Sequence, residues 1–161
     1  MPVFALLLGF GFDSGNIQAM TNTSDASRPE FTGELFEKGI AMRRAVAGDT
    51  YVDAALGGAT DYTADLQKLV TETAWAMVWS RPGLDRKYRS MVTVAMLAAM
   101  DRSHELKTHM RGALNNGVTR DEIKEILLQA CIYAGFPAGL EGFRVAGELY
   151  REIDAALVHK V

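Results

Sequence analysis

The stretch DRSHELKTHMRGALNNG, residues Asp101–Gly117, sets the fold class. It opens on a helix-entry signal, with Ser103 at the N-cap position. It closes on Asn115-Asn116-Gly117, where glycine can take the left-handed conformation that ends a helix. Between these signals the spacing predicts one helix with two stripes. Leu106, Met110, Ala113 and Leu114 form the apolar stripe of a core-facing helix. Glu105, His109, Gly112 and Asn116 follow the i, i+3/i+4, i+7 spacing along its edge, while Lys107, Thr108 and Arg111 point to solvent. A carboxylate and an imidazole thus share one face, one turn apart, at the border of the core. That border is where pKa values shift and proton-transfer groups work. The plainer reading is a surface Glu–His pair worth roughly 0.2–0.5 kcal/mol.

The same helical period continues in both directions. Downstream, Thr119 and Glu122 form an S/T-x-x-E capping box. Ile123, Ile126, Leu127, Ala130, Cys131 and Ala134 come next as a helical stripe, which reads Cys131 as a buried, inert thiol. Gly135-Phe136-Pro137 breaks that helix. A last helix, about Ala138–Leu157, turns Leu140, Phe143, Ala146, Leu149, Tyr150 and Ile153 inward, and Gly139, Gly142 and Gly147 mark close helix approach. Upstream, Asp85 caps a helix of about Arg86–Met100 that is apolar nearly all round from Met91, the pattern of a helix buried on every side. Its first turn carries Arg86, Lys87 and Arg89, with Arg81 just before, at the positive end of the helix dipole. Either an anionic ligand supplies the missing charge or this is a solvated basic turn.

Thr63 caps an earlier helix in which Leu66, Leu69, Val70, Thr73, Ala74, Met77 and Val78 keep the 3.6-residue period. Trp75 and Trp79 are an i, i+4 pair on one side of it, read as core or interface, with an aromatic pocket as the alternative. A first helix, capped by Thr32, carries Leu35, Phe36, Ile40 and Ala47, with Arg43-Arg44 toward its negative end. A short helix covers roughly Thr50–Leu56. No segment alternates like a strand, so the expectation is an all-α bundle of about six helices over residues 31–158. Residues 1–30 read as an extension outside the fold: disordered, an over-extended start upstream of Met20, or a membrane-associating or signal segment.

Composition narrows the function classes. Lys and Arg number 17 against 20 Asp and Glu, a net charge of −3, which gives no pull toward nucleic acid or anionic membranes. A single cysteine excludes a disulfide framework or a Cys-x-x-Cys centre within the chain and fits a cytoplasmic setting. Three scattered histidines, His104, His109 and His159, form no metal-binding pattern, and there is no Gly-rich phosphate motif.

Several blocks in order carry a resemblance: FEKGIAMRRAVAGDTYVDAAL (Phe36–Leu56), RPGLDRKYRSMVTVAML (Arg81–Leu97) and ELKTHMRGALNNGVTRDEIKEILLQACIYAGFPA (Glu105–Ala138). Together they resemble the γ-carboxymuconolactone decarboxylase family over roughly residues 31–150. The resemblance implies an alkylhydroperoxidase D-like helical fold and a homo-oligomer, trimer or hexamer. It also implies loss of CO2 from γ-carboxymuconolactone, giving the β-ketoadipate enol-lactone of aromatic catabolism. That reaction needs arginines to hold a dicarboxylate. It needs a donor to the dienolate and an acid to protonate carbon. It needs no cofactor or metal, because the lactone carbonyl takes the electrons.

The resemblance carries His109 onto the family histidine and Glu105 onto the acidic position before it. His109 is then the donor to the dienolate and Glu105 orients it; Arg81, Arg89 and Arg102 hold the substrate carboxylates, with Tyr133 a further substrate-binding candidate. The family's thiol branch places two cysteines before this histidine; here those positions are Arg102 and Glu105, and its upstream glutamate is Ser90. Disulfide reductase chemistry therefore lacks the two thiols it needs. After the Gly-x-Pro break, decarboxylases of the family tend to read PAAN-x-AF, often followed by histidine. Here Leu140 replaces the asparagine and Arg144 stands at the histidine position. If these positions contact substrate, the alternatives are another acidic lactone or enolisable acid, or a non-catalytic ligand-binding oligomer.

Overall fold

The computed structural model describes residues 28–158, and its helices follow the apolar stripes where those stripes have partners. They are α1 (Glu34–Ala47), α2 (Asp49–Gly57), α3 (Ala64–Val70), α4 (Arg86–Ala99), α5 (Ser103–Asn115), α6 (Arg120–Tyr133) and α7 (Phe136–Val158); α3 runs on without a break into a π-helical segment, Thr71–Trp79. No strand occurs among the described residues. The fold is the expected all-α bundle.

Helices α4–α7 form the main core. Val94, Ala98, Leu106, Met110, Ala113, Ile123, Leu127 and Leu149 are each 2% exposed or less. Glycines let the backbones close: a Cβ on Gly139 would lie 1.9 Å from the Cys131 sulfur, and one on Gly142 would lie 2.6 Å from Leu127. A second, smaller core joins Phe31, Phe36, Val52, Leu56, Ala59 and Ala64 around α1–α3. The two cores meet where α1 crosses α5. A Cβ on Gly112 would lie 3.2 Å from the Val46 carbonyl, which also accepts from the Asn115 amide. The fold reaches slightly further back than residue 31, because Arg28 pairs with Asp61 at 2.7 Å. The reading of residues 1–27 lies outside the described residues.

Several local expectations give way to tertiary partners. Arg102, not Ser103, takes the N-cap of α5, because the Ser103 hydroxyl is drawn to Glu141 Oε1 at 2.6 Å. Gly33, at φ +113°, replaces Thr32 before α1; the Thr32 hydroxyl turns back to the Pro29 carbonyl. Helix α7 begins at Phe136 and takes Pro137 into its first turn, where a missing N–H costs nothing. The capping box of α6 forms in both directions, and Gly117 takes φ +82°. Lys107 and Arg111 are not free in solvent: both reach Glu152 on α7.

Two faces differ more deeply. In the Thr63–Trp79 region Leu66, Leu69, Met77 and Val78 are more than half exposed, while Ala64, Thr71, Trp75 and Ala76 are buried. Helix α1 meets this region at Gln67 and Thr71, off the Leu66–Val78 stripe. Helix α4 is not covered on every side either. Val92, Met96 and Met100 remain about half exposed, and Leu140 of α7 and Tyr133 of α6 are more open still. Val92, Met96, Ile126 and Tyr133 line an apolar groove of about 450 Å³.

Candidate active site

Helix α5 sets Glu105 and His109 one turn apart, and the π segment brings two indoles against the imidazole. The His109 ring lies 6.3 Å from Trp75, nearly parallel at 8°, and 6.5 Å from Trp79 at 25°. The indoles themselves are 5.1 Å apart. Trp75 is buried, and Trp79 and His109 are partly exposed, so the three rings form a wall with one accessible edge. Burial pushes the His109 pKa below its ordinary 6.5; the opposing pull comes from the Glu105 carboxylate. The physical cause is that a cation between apolar rings loses hydration that the indole faces only partly replace. The imidazole is accordingly neutral at neutral pH. Glu105 is exposed, on the solvent side of the ring wall.

The arginines separate by environment. Arg81 follows Trp79 by two residues, is exposed, and its carbonyl accepts from Arg89. Arg89 donates from Nη2 to the Arg81 carbonyl and from Nε to the Leu84 carbonyl, both at 3.0 Å. It thus holds the loop that carries Arg81, and keeps its remaining N–H groups for other acceptors. Arg102 is exposed at the N-cap of α5, three residues before Glu105. Arg81 and Arg89 are joined through one loop next to the ring wall. Tyr133 is 84% exposed and faces the apolar groove, whose lining includes neither His109 nor Glu105.

The basic turn of α4 is partly answered from within. Lys87 pairs with Glu122 of α6 at 2.7 Å, a carboxylate 35 positions away that local rules could not supply. Asn116, the C-cap residue of α5, donates from its side chain to the buried Ser90 hydroxyl at 2.9 Å. At the histidine position of the family pattern, Arg144 forks onto both Glu141 oxygens at 2.6 and 2.7 Å and also reaches Glu148. Arg144 and then Ser103 hold the Glu141 carboxyl down to about 2. Arg144 is therefore already engaged on two carboxylates.

The sequence reads Trp75 and Trp79 as core or interface, with an aromatic pocket as the alternative. Their four-residue spacing is the available signal; what hides their role is the π register, which no local rule announces.

The family model described as carboxymuconolactone decarboxylase matches residues 64–148, the span that holds the ring wall, the arginines and α5. A nitrosuccinic acid decarboxylase of Metarhizium robertsii is 46% identical over 123 residues, covering 76% of this chain and 86% of that protein. A 4-carboxymuconolactone decarboxylase of Acinetobacter baylyi is 40% identical over 123 residues, covering 76% of this chain and 92% of that protein. An uncharacterised 15.0 kDa protein of Paracoccus denitrificans is 31% identical over 85 residues, 52% of this chain and 63% of that one.

Proposed function

Because the chain belongs to the carboxymuconolactone decarboxylase family, we propose that it is a carboxy-lyase whose substrate is a small dicarboxylic acid carrying its own electron sink. The observation that carries this reading is the His109 imidazole set against Trp75 and Trp79 with Glu105 one turn away. Decarboxylation breaks the bond between a carboxylate and its α-carbon and leaves the electron pair on that carbon. In γ-carboxymuconolactone the pair spreads into the unsaturated lactone. One proton is then taken up at carbon, so every turnover consumes one proton from solvent.

His109 is suited to handle that proton. It is neutral in the free protein. The negative charge of a bound dianion, added to that of Glu105, favours the imidazolium and draws a proton in as substrate binds. A histidine pushed below its ordinary pKa is also the stronger acid once protonated. Glu105, exposed one turn from His109, would pass protons between water and the ring. Arg81 and Arg89 would hold one carboxylate beside the wall, with Arg102 available at the head of α5. The indole faces exclude water from the carbanion and suit a flat, conjugated substrate.

The first substrate reading is γ-carboxymuconolactone, converted to the β-ketoadipate enol-lactone and CO2. Nitrosuccinic acid is the second, favoured by the 46% identical relative. Its nitro group is also an electron sink, so the same proton handling serves. A CO2-release assay on both acids tests the proposal. Turnover of either supports a carboxy-lyase and selects the substrate. Turnover of neither by a folded protein contradicts both substrate readings and moves weight to a ligand-binding role.

A further inference from the structure

Arg43 sits in the second half of α1, is only 4% exposed, and pairs with no carboxylate among the described residues. Its Nη1 donates to Gln67 Oε1 at 3.0 Å and to Thr71 Oγ1 at 3.3 Å. Its Nε is buried with no acceptor, and the Tyr51 ring lies 5.7 Å from the guanidinium carbon. A buried guanidinium answered by neutral acceptors alone is a poor arrangement for stability. Local rules broken in this way point to a positional task.

The two acceptors stand on either side of one junction. Gln67 belongs to the last turn of α3, and Thr71 is the first residue of the π segment. The Thr71 hydroxyl donates to the Gln67 carbonyl at 2.8 Å while accepting from Arg43. One turn earlier on α1, Gly39 meets the Thr71 backbone so closely that a Cβ there would lie 2.2 Å from its carbonyl oxygen. Helix α1 therefore grips the first π residue twice, by backbone contact and by guanidinium.

The two π turns continue directly from this gripped residue. Four residues of an α-helix turn through about 400°, leaving each fourth side chain about 40° out of line. In the wider i→i+5 turns of a π-helix the fourth residue falls short of a full turn instead of passing it, which re-aims every side chain beyond the junction. Thr71, Trp75 and Trp79 are spaced by four, and both indoles reach His109. We propose that Arg43 is a positioning residue: its guanidinium pins Gln67 and Thr71 at the α-to-π junction and so fixes the register in which Trp75 and Trp79 cover His109. The consequence for turnover rests on the function proposed above; the register itself does not.

The test uses the full chain and needs no substrate. Trp75 and Trp79 are the two tryptophans of the sequence, so intrinsic fluorescence reports this wall directly. An imidazolium against an indole quenches it, and the charge acting on the imidazole comes from Glu105 of its own helix, while the π segment faces it with uncharged rings. The quench is followed against pH in wild type, Arg43→Met and Thr71→Val, with far-UV circular dichroism as the folding control. Both variants are expected to keep their helix content. Their quench midpoint should rise toward the ordinary ~6.5 of an uncovered imidazole. Their quench amplitude should also be smaller. An unchanged midpoint and amplitude in folded Arg43→Met overturns the proposal. So does a shift in Arg43→Met with none in Thr71→Val, since the grip acts through Thr71. Should Arg43→Met not fold, Thr71→Val alone decides, being smaller in effect and leaving the guanidinium in place.

Discussion

At the scale of single residues, the proposed chemistry turns on a histidine kept neutral by its neighbours. The free protein should show His109 titrating below ~6.5, and a bound dicarboxylate should raise that midpoint. Proton NMR of the imidazole during titration with a substrate analogue measures both; a midpoint that stays put on saturation contradicts the proton-uptake step. The Glu105–His109 face is legible from spacing alone, because i, i+4 neighbours on a helix must share a face. Which rings cover it is not legible, since that depends on how the Thr71–Trp79 turns are wound. The arginines divide in the same way. Arg81 lies next to Trp79 in sequence and is placed with it. By contrast, the partner of Lys87 is Glu122 on another helix, beyond the reach of local rules.

At the scale of elements, glycines and caps decide how closely helices meet. Gly39→Ala would drive a methyl into the Thr71 carbonyl at 2.2 Å, against backbone that cannot swing aside. The expected loss is about 1–3 kcal/mol or more by urea denaturation, with the indole fluorescence altered in the native baseline. Thr119→Ala removes a cap that is bonded in both directions, and should cost about 1 kcal/mol without touching the site. The capping box and the α6 stripe are readable because they are local. The N-caps expected at Ser103 and Thr32 do not form, because a distant carboxylate and a nearby carbonyl compete for those hydroxyls. The Leu66–Val78 period is present in sequence and turns outward in the fold, because α1 packs at Gln67 and Thr71 instead.

At the scale of the whole molecule, the bundle leaves an apolar face on α4, α6 and α7 that a folded chain in water tends to cover. Association of chains through this face is the expectation from the family resemblance. Met96→Glu should then lower the mass seen by light scattering, and a monomeric wild type would contradict it. Acid should destabilise the fold in two stages. The folded His109 binds protons less readily than the unfolded chain, so stability falls as pH drops from about 7 through the ordinary ~6.5, until the folded group itself titrates. Glu141, held down to about 2, contributes above the ordinary carboxylate range and loses that contribution as pH falls from there toward about 2. Melting temperatures across this range, for wild type and His109→Gln, separate the stages: the variant should lack the first. The all-helical architecture is readable from the unbroken 3.6-residue period; the exposed face is not, because an apolar stripe does not say whether its cover lies in the same chain.

Whether His109 handles the proton of a decarboxylation is decided by CO2 release from wild type and His109→Gln side by side, on γ-carboxymuconolactone and on nitrosuccinic acid, with helix content checked in both proteins. Turnover by the wild type on one of these acids, reduced by about 10²–10⁴-fold in the folded variant, is the expected result. A variant that turns over as fast as the wild type would remove His109 from the chemistry and contradict the proposed role.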